Sequence, residues 1–97
     1  MNNSAIEHEV LGMCGNDYEA PHTITADLAR NLGRSVAESE VRSAFLSLAS
    51  KGLVQAYVYD ASIGEYVPIS SIAASVEHSV WFMTNAEGRR AYEHEPR

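Results

Sequence analysis

The sequence predicts a small α+β domain. Apolar residues recur at helical spacing as far as residue 51, and from residue 53 the period becomes that of strands before a last helical stretch. The 97 residues, 10.6 kDa in mass, supply one hydrophobic core and not two, so the reading is a single domain over 1–97.

The first helix is expected over about 4–14. Ser4 and Glu7 stand at capping-box spacing, and Ile6, Val10, Met13 and Cys14 share one face while Glu7, His8 and Glu9 face water. Asn16-Asp17 reads as a turn, and 21–24 as a short extended stretch at most. Thr25 is then the expected cap of a second helix that shows Leu28, Ala29 and Leu32 to the core and stops at Gly33. Ser35 and Glu38 suggest another capping box, opening a third helix with Val41, Ala44, Phe45 and Leu48 inward and Gly52 past its end. Two short helices joined by a tight glycine turn describe a helix-turn-helix, placed at about 25–51.

Residues 53–59 are rich in β-branched and aromatic side chains, and 60–64 read as a turn. A second strand is expected at about 79–83, around Val80, Trp81 and Phe82. The connection 61–78 between them is not readable as any element, and its Ile63, Val67, Ile69, Ile72 and Val76 are expected to fold back onto the core. Together these form a wing over about 53–84. Thr84 and Glu87 give a third capping-box spacing, with the last helix at about 85–94.

Several local patterns sharpen the order of elements. Leu28-Ala29 with Leu32-Gly33 resembles the second helix of bacterial winged-helix regulators. Val41-Arg42-Ser43-Ala44-Phe45, Leu48 and then Lys51-Gly52-Leu53-Val54 resemble their third helix and its exit into the wing. Trp81-Phe82-Met83-Thr84 with Glu87-Gly88-Arg89 is similar to the return from the wing into the final helix. The resemblance spans about 6–92 and is nearest to PadR- and MarR-like regulators. It implies a winged helix-turn-helix: a three-helix core, a two- or three-stranded β-hairpin wing and a short C-terminal helix.

The resemblance also implies a DNA-binding transcriptional regulator that places its third helix in the major groove of double-stranded DNA as a homodimer. At about 100° per residue, the side of that helix opposite Val41, Phe45 and Leu48 carries Ser39, Ser43, Ser47 and Ser50, flanked by Arg42 and Leu46. Serine bonds phosphate or base edges, and arginine reads guanine. The candidate DNA-contacting residues are therefore Arg34, Ser39, Arg42, Ser43 and Ser47, with Arg30 steering, and with helix N-termini at Thr25 and Ser35 offering N–H groups to phosphates. The first and last helices are the expected dimer surface, through Ile6, Val10, Met13 and Tyr92.

Charge opposes part of this picture. The formal net charge is −6, the reverse of a general nucleic-acid coat. Within 22–51, four cations stand against three carboxylates, whereas 60–78 holds Asp60, Glu65 and Glu77 and no Lys or Arg, unlike the wings of DNA-binding relatives. The alternative is a winged-helix protein–protein interaction module that does not bind DNA, using Leu46, the acidic wing and the apolar connection.

Other chemistry has little footing. His8, His22, His78, His94 and Cys14 are never within four residues of one another, so no metal-ligand spacing exists, and they read as surface histidines and a small core cysteine. One cysteine makes no internal disulfide. Nucleophile-elbow, P-loop and dinucleotide-binding patterns are absent from the sequence, and no enzymatic activity and no cofactor are expected. No apolar run nears the roughly 20 residues of a membrane span, and 1–9 does not read as a secretory signal, so the expected location is cytoplasmic.

Overall fold

The computed structural model describes residues 4–15, 17–69 and 80–94. Four helices and one antiparallel sheet follow in the order α1 (Ser4–Met13), α2 (Pro21–Leu32), α3 (Glu38–Ser50), β1 (Val54–Asp60), β2 (Glu65–Ile69), β3 (Val80–Thr84) and α4 (Ala86–His94). The strand order is β2-β1-β3. Among the described residues no helix is long and apolar enough to cross a membrane.

The core lies between the three N-terminal helices and one face of the sheet. Ile6, Val10, Leu28, Val41, Phe45 and Leu48 come from the helices, and Val54, Ala56, Val80 and Phe82 from the strands. Phe45 of α3 stacks on Phe82 of β3 with ring centres 4.3 Å apart, which ties helix and sheet together. Leu11 is buried although it is off the apolar stripe expected for α1. The reason is that α1 is enclosed on a second side. Thr84 of β3 donates its hydroxyl to the Leu11 carbonyl at 2.8 Å, and its amide bonds Cys14 O at 3.0 Å.

Helix α2 starts four residues earlier than Thr25. Pro21 occupies its first turn, where a missing N–H costs nothing. The Ala20 amide donates to Thr23 Oγ1 at 3.0 Å, and Thr25 donates its hydroxyl to Pro21 O from inside the helix. Ile24 is thereby a buried helical residue and not part of an extended stretch. At the other end Gly33 has φ 69°, the left-handed conformation expected of it.

Capping departs from expectation twice more. Ala37, not Ser35, precedes α3, and its amide is satisfied by the Glu40 carboxylate at 3.0 Å. Asn85, not Thr84, caps α4: Gly88 N–H donates to Asn85 Oδ1 at 2.8 Å, and Asn85 Nδ2 donates to Gly52 O at 2.9 Å. Thr84 ends β3, buried. At α1, Ser4 is the first helical residue and its side chain lies outside the described residues. Glu7 takes Lys51 Nζ at 2.8 Å and is only 16 % exposed, so it does not simply face water.

The unreadable connection contains a strand. β2 pairs antiparallel with β1, from Ala56 opposite Ile69 to Asp60 opposite Glu65. Val67 and Ile69 share the inner face, partly buried, and Ile69 packs against the core, while Ile63 is exposed in the turn. Ile72 and Val76 lie outside the described residues. Beyond β3, Glu19 and Phe82 exchange backbone hydrogen bonds at 2.8 and 2.7 Å, so the segment before α2 touches the sheet's other edge.

Candidate functional site

Helix α3 packs its Val41, Ala44, Phe45 and Leu48 side inward. Ser39, Ser43 and Ser50 are exposed on it, while Ser47 and Leu46 are partly covered. Ser50 turns its hydroxyl back onto Ser47 O at 2.8 Å. The three arginines of this region all meet carboxylates of their own neighbourhood. Arg30 bonds Asp27 at 2.8 Å, Arg42 bonds Glu38 at 3.0 Å, and Arg34 lies 3.6 Å from Glu40 while donating to Ser35 O at 2.9 Å.

These pairs differ in how firmly they are held. Arg30 is 72 % exposed and Arg34 45 % exposed, so water competes for both. Arg42 is 22 % exposed and lies along α3 toward Glu38, away from the solvent-facing pose that reading a guanine requires. The helix N-termini also fall elsewhere than expected. Pro21 has no N–H, and the first turn of α3 carries Glu38 and Glu40, whose charges occupy the positive end of its dipole. Neither Thr25 nor Ser35 begins a helix.

The expected dimer surface is reduced in the same way. Ile6 and Val10 are buried in the chain's own core and Met13 packs against it, which leaves Tyr92 as the exposed apolar member of that set. Tyr92 of α4 stacks on His8 of α1, ring centres 4.6 Å apart. Beside this pair, Glu7, His8, Leu11, Leu48, Lys51, Leu53 and Ala91 line a cleft of about 200 Å³. That is below the ~300–1,000 Å³ typical of small-molecule sites. Among the described residues no three His, Cys, Asp or Glu side chains gather as a metal site would require. His22 and His8 instead pack against rings, and His78 lies outside the described residues. Cys14 is fully buried, and burial, aided by the Glu19 carboxylate, pushes its thiol far above the usual range.

A second surface is absent from the expected site. Of the chain's eight Phe, Trp and Tyr residues, only Phe45 and Phe82 are in the core. Tyr57 and Tyr59 of β1, Tyr66 of β2 and Trp81 of β3 belong to the sheet face turned away from the helices. The register fixes this, since Tyr57 is opposite both Pro68 and Trp81, and Tyr59 is opposite Tyr66. Tyr18 joins them, stacked on Tyr66 at 4.0 Å and edge-on to Tyr57 at 4.8 Å. Burial, with Tyr18 alongside, raises the Tyr57 hydroxyl above its ordinary pKa. The signal for this face is the alternation Tyr57-Val58-Tyr59, which puts two tyrosines on one side of a strand whose other side feeds the core.

Compared with family models, curated proteins and solved structures, the chain matches none.

Proposed function

We propose that this chain is a winged-helix, transcriptional-regulator-like protein that binds operator DNA as a homodimer through α3. The observation that carries the reading is the exposed Ser39 and Ser43 on the side of α3 opposite the core, with α2 packed behind and the sheet beside it. A helix so presented fits the major groove, and serines accept or donate to phosphates and base edges.

The arginine pairs weaken this interface without removing it. An exposed ion pair contributes only about 0.2–1 kcal/mol, so little is lost when a phosphate takes the carboxylate's place. Arg30 and Arg34 can therefore exchange Asp27 and Glu40 for phosphates. Arg42 stays with Glu38 and orders the helix. With few phosphate contacts, affinity per copy is low and two half-sites are needed. The α1/α4 surface around Tyr92 and His8 is the part left for pairing two copies.

The test is selection from a randomised duplex library at low salt, followed by fluorescence anisotropy on the enriched sequence. The expected result is enrichment of a two-fold symmetric site, weaker binding by Arg34→Ala and Ser43→Ala, and little change with Ser62→Ala. No enrichment, or binding indifferent to Arg34 and Ser43, overturns the reading.

The second reading is a protein-interaction module without DNA. It is favoured by one specific observation: each arginine of α2, α3 and their turn already faces a carboxylate, and 52–88 contains no Lys or Arg at all.

A further inference from the structure

The aromatic face of the sheet is solvent-directed and plays no part in the duplex reading. Five rings lie on it: Tyr18, Tyr57, Tyr59, Tyr66 and Trp81. Tyr59 is 51 % exposed, and Tyr18, Tyr57, Tyr66 and Trp81 are all partly exposed. His22 extends the patch, edge-on to Trp81 at 5.6 Å. None of these side chains belongs to the core, and contiguous exposed rings of this kind mark interaction sites.

Charge identifies the partner. The segments that build the face, 17–23, 54–69 and 80–84, contain no Lys or Arg; Asp60 and Glu65, opposite each other at the hairpin end, and Glu19, opposite Phe82, alternate onto the other side of the sheet and border this face from behind. Such a surface offers no cation to a phosphate backbone, and the formal net charge of −6 draws cations toward it. The π faces of tyrosine and tryptophan add to that attraction, more so for the planar guanidinium of arginine than for ammonium. Three strands span about 10 Å, wide enough for one extended peptide. Exposed Ile63, in the turn that carries Asp60, offers apolar surface to the alkyl stem of a cationic side chain.

We infer that the outer sheet face docks an extended, arginine-bearing segment of a partner protein, its guanidinium groups lying over the tyrosine and tryptophan rings. The inference is independent of whether α3 meets DNA.

Trp81 is the chain's one tryptophan, so its emission reports the face directly. The intact protein is titrated with a short synthetic peptide of alternating arginine and proline, with the glutamate–proline counterpart, and with oligothymidine. A saturable change with the arginine peptide alone, weakened by added salt, is expected. Tyr59→Ala should weaken it by about two- to fivefold, the loss of one exposed cation–π contact, while Tyr59→Phe retains it. An unchanged urea midpoint verifies that both variants are folded. No saturable response, an equal response to the glutamate peptide, or preferential binding of oligothymidine overturns the inference. So would nuclear Overhauser contacts between Trp81 and Ile72 or Val76 in the free protein, because the chain would then occupy its own face.

Discussion

Gly88→Ala isolates the docking of α4 on the sheet, because two effects of opposite sign meet at one atom. In a solvent-facing helix interior, replacing Gly by Ala stabilises by about 0.5–1 kcal/mol through backbone entropy. Gly88 lies inside α4 but is buried. An added Cβ would overlap the Leu53 carbonyl oxygen and come within 2.7 Å of Thr84 Cγ2. The oxygen is main chain and already accepts the Asn85 N–H at 3.2 Å, so it has no low-cost way to retreat. Overpacking of this kind costs about 1–3 kcal/mol, enough to reverse the helix-propensity gain. Urea unfolding followed by Trp81 fluorescence should therefore give a midpoint lowered by roughly 1 M, for slopes of about 1–3 kcal/mol per M. Gly12→Ala is the control. Its Cβ meets only the outer atoms of the Tyr92 ring, from 2.8 Å, and that exposed side chain can turn aside. A Gly88→Ala protein as stable as the parent would refute the close approach of α4 to Leu53 and to Thr84 of β3.

Three further outcomes follow from local chemistry. Asn85→Ala removes both the α4 cap and the bond to Gly52 O, and should cost about 1–2 kcal/mol in thermal or urea unfolding; a loss below about 0.5 kcal/mol would contradict the capping role. Cys14 should resist iodoacetamide at mildly alkaline pH while folded and react once urea unfolds the chain, since the raised pKa and full burial leave almost no accessible thiolate; alkylation of the folded protein at the rate of a free thiol would refute this. The Asp60 carboxyl is held below its usual range by the Ser62 hydroxyl and the Ser62 amide. Its contribution is complete above the pKa of an unfolded aspartate and fades as pH falls through the lower folded value, so the Ser62 amide resonance should move only in acid, and Asp60→Asn should abolish that movement.

Much of the architecture was legible because burial imposes period on the sequence. Val41, Ala44, Phe45 and Leu48 announce α3, and Val80, Trp81 and Phe82 announce β3. The start of α2 was hidden by β-branched Thr23, Ile24 and Thr25, which read as extended until Pro21 is placed in a first helical turn. β2 was hidden because Pro68 sits in it and because an edge strand needs only a partly buried face. Capping-box spacing does not locate the caps, because a Ser or Thr three residues before a Glu recurs by chance, while Glu40 satisfies the Ala37 amide and Asn85 caps α4.

At the candidate site, net charge does not locate the ion pairs. Four cations against three carboxylates leaves a small positive sum, yet the sum does not say where the carboxylates point. The spacings Asp27-Arg30 and Glu38-Arg42 are helical neighbours and legible as pairs. Arg34 with Glu40, across a turn, and Lys51 with Glu7, between distant helices, required the folded geometry. The aromatic face needed the register of three strands, which no single segment contains.

The central claim is that the exposed side of α3 meets a duplex. Amide chemical-shift mapping of the full chain with the library-selected duplex at low salt tests it most directly. The account predicts shifts concentrated at Ser39, Ser43 and Ser47, with Arg34 at their edge and the outer sheet tyrosines unmoved. Shifts confined to the sheet, or none anywhere, would contradict it.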